Sequence, residues 1–297
     1  MNDPLITIGI TCHSEGDWLL ECWDSVLAQT DDRWEAVLVM DGTKHERTRE
    51  IFSALEHPRL RKVALPENLG PYPARNTAFE LTRTPFHFYL DGDDLLFPDS
   101  VARVLQTFAE HPEAGLVYGD YQCFGGSDEV WKYAPLLRPD DFAERQPIPG
   151  ACAYRKATWQ KLGGFSPELS KGNADYDFMV GVAEAGIPAR HCGARFYRYR
   201  RRASGNISTS YARTYHATHE TIVARHPAFF SVRRRRRRFL ALGYARSAHA
   251  NLAAGNREAA GALAMKAVRH GLWRDWRLLR LGVFELLRRR AAGEGSW

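Results

Sequence analysis

Short apolar runs and amphipathic stretches alternate along the first part of the chain. Leu5–Ile10 is a β-prone run, and after it Leu19, Trp23, Val26 and Leu27 recur at helical spacing, with Asp17 placed to cap that helix. Trp34–Met40 reads as a second strand, a short helix runs through Ile51 to Leu55, and Leu60–Leu65 reads as a third strand. Tyr72–Leu81 is then a helix carrying Arg75 and Asn76 in its first turns. A fourth strand starts at Phe86, a helix lies near Pro98–Glu110, and Leu116–Tyr118 is a further strand. Strands alternating with helices predict a parallel sheet with right-handed crossovers. The first four strands each end in a polar or glycine-bearing motif: Thr11–Glu15, Asp41-Gly42, Asn68–Gly70 and Asp91–Asp94. The carboxyl ends of the strands in such a sheet line one crevice, so the four motifs are expected to converge there.

The fourth motif is the most demanding. Phe86-His-Phe-Tyr-Leu stops in Asp91, Asp93 and Asp94, and three anions at the end of a buried strand repel unless a cation or an array of donors sits among them. Oxygen ligands on a glycine-containing turn suit Mg2+ or Mn2+, whose shell is completed by water and substrate phosphates. The competing reading is a solvated acidic turn in which Asp94 or Asp99 caps the helix beginning near Pro98.

Composition narrows the classes. The 297 residues suffice for one large domain, or one domain with an appendage. Residues 1–10 carry no basic segment followed by a sustained apolar one, and no window approaches the ~20 apolar residues of a spanning helix, so the cytoplasm is the expected location. Cys12, Cys22, Cys123, Cys152 and Cys192 lie far apart, which indicates buried thiols and neither a zinc site nor a disulfide framework. The net charge of +6 conceals a division: residues 225–297 hold 17 Lys and Arg against 4 Asp and Glu, a balance of +13, and residues 1–224 balance at −7. That asymmetry points the C-terminal part towards an anionic surface.

In that part, Arg233–Arg238 precede helical stretches Phe239–Ala254 and Arg257–His270, a pairing similar to a single tetratricopeptide-like hairpin, which must dock on the preceding domain to bury its face. Trp273, Trp276, Leu278, Leu279, Leu281, Val283 and Phe284 interleave with Arg274, Arg277 and Arg280, as in a helix lying at a membrane interface. Anionic lipid at the inner face of the plasma membrane is therefore the expected partner surface of 225–297. Nucleic acid is not expected, because no recognition motif accompanies the charge. The bland alternative is a helix start with a solvated charged face.

In order and spacing, several motifs together resemble a family 2 glycosyltransferase of the bacterial, inverting type over roughly residues 5–210. They are Ile6-Thr-Ile-Gly-Ile-Thr-Cys-His13, Ser25-Val-Leu-Ala-Gln-Thr30, Val37-Leu-Val-Met-Asp-Gly-Thr43, Asn68-Leu-Gly70 with Ala74-Arg-Asn76, and Leu90-Asp-Gly-Asp-Asp94. The likeness continues through Gly150-Ala-Cys-Ala-Tyr-Arg-Lys156, Leu162-Gly-Gly-Phe165, Asp175-Tyr-Asp-Phe178 and Tyr199–Ser208. It implies the GT-A nucleotide-diphospho-sugar transferase fold, α/β and Rossmann-like with a mostly parallel sheet, over 1–224. Residues 1–120 would form the nucleotide half and 121–224 the acceptor half, with 225–297 a basic helical extension. Thr11, Asp41 and, more weakly, Glu15 would hold a uracil-type base and ribose. Asp91, Asp93 and Asp94 would hold Mn2+ or Mg2+ at the diphosphate. Arg75 is a phosphate contact or an ordinary ion pair, and Arg200 and Arg202, with Ser204 and Ser208, would close over the diphosphate.

Asp175 matches the family's general base, although Ala174 stands where the first acid of the usual pair is common and Arg202 where histidine is frequent. Asp177, about 200° further around a helix, would orient Asp175 or cap the helix. Tyr133, Trp131, Phe165, Trp159 and Tyr176 are candidate sugar-stacking rings, with core packing the competing role. The implied reaction is inverting transfer from a nucleotide-diphosphate donor, UDP-sugar favoured, to a saccharide or lipid-linked saccharide in surface polysaccharide assembly. Two rivals stay open: a sugar-1-phosphate nucleotidyltransferase, whose Gly-rich phosphate loop Thr11–Glu15 lacks, and a non-catalytic binding or scaffold protein on the same fold.

Overall fold

The computed structural model describes residues 2–170, 172–201 and 211–271. They divide into two compact units, the first drawn from the described residues up to 137, from 147–178 and from 185 to 201, and the second from 138–146, 179–184 and 211 to 271. Arg202, Ser204, Ser208 and the Trp273–Phe284 segment lie outside the described residues.

The first unit is built on a nine-stranded mixed sheet. Its strands are β1 (Ile6–Cys12), β2 (Trp34–Asp41), β3 (Leu60–Leu65), β4 (Phe86–Asp91), β5 (Leu95–Leu96), β6 (Leu116–Gly125), β7 (Val130–Trp131), β8 (Ala153–Arg155) and β9 (Ala189–Arg201). The order is β3-β2-β1-β4-β8-β6-β9-β5, with β7 paired to β6. The strands β3, β2, β1 and β4 are parallel, as their alternation with helices predicts. Beyond β4 the sheet departs from the all-parallel expectation, because β8 runs antiparallel to both β4 and β6. Every residue of β1 is buried, Thr7, Gly9 and Thr11 as well as the isoleucines between them, so both faces of this strand are covered.

The helices of this unit are α1 (Trp18–Leu27), α2 (Glu46–Ala54), α3 (Pro71–Glu80), α4 (Ser100–Glu110), α6 (Lys156–Leu162) and the first part of α7 (Ala174–Glu184). The expected caps are not made. Asp17 precedes α1 but its carboxylate pairs with Arg47 Nε at 2.7 Å, and Asp99 before α4 pairs with Arg103 Nε at 2.6 Å. Cys22 takes the buried position expected of Leu27, which is 46% exposed. Cys12, Cys22, Cys123 and Cys152 are buried and Cys192 half-buried, all as free thiols. Gly42 turns the chain at φ +49°, and a Cβ there would stand 1.9 Å from the Glu67 carbonyl carbon, so the β2 end and the loop after β3 approach closely only with glycine.

His87 sits fully buried in β4, its ring stacked on Phe79 at 3.7 Å and its Nδ1 2.7 Å from Thr82 Oγ1. Burial pulls its pKa down from 6.5 to about 3. The unfolded chain therefore binds a proton below pH 6.5 that the folded chain refuses until about pH 3, and stability falls as pH falls through that window. By pH 5 the loss from this residue is about 2 kcal/mol. A urea midpoint measured against pH is expected to drop below pH 6.5 and to drop less steeply in His87→Leu.

The second unit holds α5 (Asp141–Glu144), α8 (Tyr215–Arg225), α9 (Arg233–Ala253) and α10 (Arg257–Arg269). Ala245, Ala248, Ala264 and Ala267 are fully buried and let α9 and α10 pack closely, with Leu240, Leu242, Tyr244 and Leu263 around them. The arginine run is not a prelude to this hairpin but the first turns of α9 itself. Part of its charge is answered within the unit: Arg234 and Arg235 pair with Asp140, the latter at 2.7 Å, and Arg238 pairs with Glu144. Among the described residues no helix is long and apolar enough to cross a membrane.

Candidate active site

The four strand-end motifs meet at one edge of the sheet. Asp41, at the end of β2 and 5% exposed, accepts the N–H groups of Leu69 (2.8 Å) and Gly70 (2.9 Å). Its carboxylate thereby shapes the loop after β3 and the entry into α3, where Gly70 at φ +93° is followed by Pro71 at the first helical position. His13, after β1, approaches the Asp41 carbonyl oxygen through Nδ1 at 2.7 Å and the Asn68 amide nitrogen through Nε2 at 3.3 Å. The amide is a donor, so Nε2 accepts and Nδ1 carries the proton that is donated to Asp41. Glu15 accepts the His13 N–H at 2.5 Å, and the buried Thr11 hydroxyl lies 3.4 Å from Asp91 Oδ1. Thr11, Glu15 and Asp41 thus share one end of the crevice with His13 and Asn68, two residues whose chemistry the sequence reading left unused.

The three aspartates after β4 occupy three different environments. Asp91 accepts both oxygens' worth of contact from Arg75 Nη2 (2.9 and 3.0 Å) and a hydrogen bond from Tyr89 Oη (2.6 Å). Asp94, 1% exposed, accepts from Tyr197 Oη (2.9 Å) and the Arg200 N–H (2.7 Å). Burial first, then repulsion from Asp93 and Asp91, push the Asp94 carboxyl well above the usual carboxylate range. Asp93 is half-buried between them, and its carbonyl oxygen accepts Arg200 Nε at 2.7 Å.

Both arginines near this turn are held by protein. Arg75 makes the ion pair that was one of its two expected roles: it is 9% exposed, pairs with Asp91, and lies over the rings of Tyr89 (4.2 Å) and Tyr72 (5.0 Å). Arg200 pairs with Glu21 at 2.7 Å and lies over Phe124 and Trp18, which anchors β9 beneath the aspartate turn. Tyr199–Arg201, expected in a closing loop, instead finish β9.

Asp175 stands in the first turn of α7, half-buried, and accepts the Tyr72 hydroxyl on Oδ1 at 2.8 Å. A Cβ on Gly150 would lie 2.6 Å from its Oδ2, so the glycine makes room for the carboxylate. Burial and the Asp175 charge push the Tyr72 phenol up, which keeps it a hydrogen-bond donor. Tyr72 and Arg75 are three apart on α3 and therefore share a face. A continuous set of contacts results: Asp175 to Tyr72, Tyr72 to Arg75, Arg75 to Asp91. Tyr72 is a residue the sequence reading missed; its placement just after Pro71, three before Arg75, was the available signal. Asn76 clamps the backbone of Phe165 through both its amide atoms, at 2.9 and 3.0 Å, which fixes the segment after α6 against α3.

Ala174 is fully buried and Asp177 is 3% exposed, so neither presents a second carboxylate to the crevice. Of the candidate sugar-stacking rings, Phe165 and Tyr176 are core at 1% and 0% exposure, and Trp159 stacks on Phe79 at 5.2 Å. Trp131 and Tyr133 are half-buried and group with Tyr121 and Tyr199.

The glycosyl transferase family 2 model matches residues 7–162, more than half of the chain. The chain belongs to that family. Among family relatives, it is 26% identical over 192 residues to the chondroitin synthase of Escherichia coli, covering 63% of this chain and 28% of that protein. It is 26% identical over 217 residues to the O-antigen biosynthesis protein RfbC of Myxococcus xanthus, covering 69% and 16%. It is 32% identical over 190 residues to the hyaluronan synthase of Pasteurella multocida, covering 62% and 19%. The chain spans less than a third of the length of these relatives. The solved structure of S. aureus TarS 1-349 in complex with UDP-GlcNAc superimposes with a TM-score of 0.65 at 15% identity, covering 96% of this chain and 87% of that one. The fold is the GT-A transferase fold with C-terminal helices.

Proposed function

We propose that this glycosyltransferase-family chain moves a sugar from a UDP-sugar donor to a saccharide or lipid-linked saccharide acceptor with inversion at the anomeric carbon, in polysaccharide assembly. The observation that carries the reading is the contact chain from Asp91 through Arg75 and Tyr72 to Asp175. It holds one carboxylate, Asp175, a short way from the aspartate turn and outside it, as a base beside a diphosphate requires. The UDP-GlcNAc bound by TarS favours uridine.

A divalent cation fits this donor set in one form. Among the described residues no three His, Cys, Asp or Glu side chains gather as an all-protein site, and Asp91 and Asp94 are engaged by Arg75, Tyr89, Tyr197 and Arg200. Asp93, which stands between them on the same turn and has contacts of its own, is the carboxylate we assign to Mn2+ or Mg2+, whose shell water and substrate phosphates would complete, as is usual for Mg2+. Bound there, the ion would act as a Lewis acid on the departing diphosphate. The chain's own residues do the rest. Asp41, Thr11 and Glu15 shape the end of the crevice that takes the base and ribose. Asp175 Oδ2 takes the acceptor hydroxyl proton as that oxygen forms its bond to the anomeric carbon and the carbon–oxygen bond to the diphosphate breaks. Tyr72 holds the other carboxylate oxygen and so sets the direction of Oδ2.

Calorimetric titration of UDP with and without Mn2+, on the parent and Asp93→Ala, tests the donor site. Binding is expected to require the metal and to disappear in the variant. No UDP binding by the parent would reject the uridine donor, and GDP and dTDP in the same cell would then identify another nucleotide or a vestigial site. Tyr72→Phe probes the positioning of Asp175: kcat is expected to fall roughly tenfold, the worth of one charge-assisted hydrogen bond, with UDP affinity unchanged. Unchanged kcat would remove Tyr72 from the mechanism.

A further inference from the structure

A cavity of about 500 Å3 lies within the first unit between the end of β5, the first turn of α4, β7 and the Gly193–Arg195 part of β9. Its wall includes Phe97, Asp99, Arg103, Asp120, Lys132 and Arg195, none of which the reaction described above employs. The volume falls in the ~300–1,000 Å3 range of small-molecule sites.

The charges in the wall are unevenly satisfied. Arg103 is paired with Asp99 at 2.6 Å. Asp120 accepts the Tyr133 N–H at 2.9 Å and faces His191 Nε2 at 3.1 Å. Among the described residues Lys132 and Arg195 have no carboxylate partner: Arg195 donates to the Gln122 amide oxygen at 2.7 Å and lies 5.7 Å from the Phe97 ring centroid, and Lys132 is exposed. Two cations in a concave wall beside an aromatic ring favour an anion that also carries an apolar face. A pyranose with a negative substituent has both, and its hydroxyls find acceptors in Asp99 and Asp120.

The cavity is also linked to the aromatic group of Trp131, Tyr133 and Tyr121, two of whose rings were candidate sugar-stacking faces. Val130 and Lys132 line the cavity, and Trp131 and Tyr133, which alternate with them along the chain, group their rings with Tyr121 instead. The Tyr133 N–H is itself bonded to Asp120 in the cavity wall. One short strip of backbone thus joins the cavity to the half-buried aromatic group.

We propose that this cavity is a second saccharide site, which grips a negatively charged stretch of the acceptor chain through Lys132 and Arg195 with one sugar face on Phe97. The role as an acceptor grip rests on the glycosyltransferase reading, but the binding is measurable without turnover. The full chain is titrated calorimetrically, without donor, against a hexasaccharide with alternating glucuronate, a glycerol-phosphate oligomer of similar length, and neutral maltohexaose. At least one anionic oligomer is expected to bind roughly tenfold tighter than the neutral one and to weaken as salt is raised. The oligomer that binds distinguishes a carboxylate from a phosphate source. Lys132→Glu with Arg195→Gln is expected to weaken that binding tenfold or more, while leaving UDP affinity and the melting temperature unchanged. Failure of both anionic oligomers to bind, equal binding of maltohexaose, or equal binding by the variant would each overturn the proposal. Loss of UDP binding alone in the parent would count against the donor reading and not against this site.

Discussion

Asp175→Asn is expected to lower turnover by a factor on the order of 10^3 while UDP binds as it does to the parent, the scale of losing a positioned general base. Asn keeps the size of the side chain and one oxygen for the Tyr72 hydroxyl, so the Tyr72–Arg75–Asp91 contacts survive. What it loses is the basic oxygen on the Gly150 side. Two measurements check this: steady-state turnover with the UDP-sugar found by donor screening, and UDP affinity with Mn2+. Turnover within a few-fold of the parent would refute the assignment. Equal loss of UDP affinity would instead mean that Asp175 supports the donor site.

The second large effect is on stability. Arg75→Met is expected to cost about 3 kcal/mol, the low end for breaking a buried pair, because Asp91 is left with a hydrogen bond from Tyr89 but no cation. The low end applies because the Asp91 side chain is 28% exposed and the Arg75 side chain 10%. Arg75→Lys should recover only part of this, since a lysine carries no planar group to lie flat between Tyr72 and Tyr89. Adding Asp91→Asn to Arg75→Met should return part of the loss, because the uncompensated charge is gone. Urea midpoints of the two single variants and the double variant complete the cycle, and a cycle that closes additively would show that the pair contributes nothing as a pair.

From sequence, Asp93 and Asp94, with Asp91 behind them, were the metal candidates, and which of the three ligates was open because a run of carboxylates states a charge and not its partners. In the structure Arg75 and Tyr89 take Asp91, and Tyr197 and the Arg200 N–H take Asp94. The same holds for Arg75, whose position near a helix start suited either a phosphate or an ion pair. In the structure it is buried between two tyrosine rings and paired with Asp91. Strand β9 was not read as a strand, because Arg195-Phe-Tyr-Arg-Tyr-Arg-Arg201 mixes charge with apolar residues more than a buried strand does. Its arginines are accommodated by lying over aromatic rings, Arg198 and Arg200 on Phe124 and Arg201 on Trp131.

From the sequence by itself came the parallel core β1, β2, β3 and β4, the helices between those strands, and the gathering of four polar motifs at one sheet edge. These follow from local periodicity, and in a parallel sheet strand direction alone decides which ends share an edge. Tertiary structure alone decided which polar groups touch. Tyr72 meets Asp175 across 103 positions, and Tyr197 meets Asp94 across another 103. Such pairs leave no periodic trace, because a hydrogen bond or ion pair depends on where two distant backbones cross and not on the residues beside either partner.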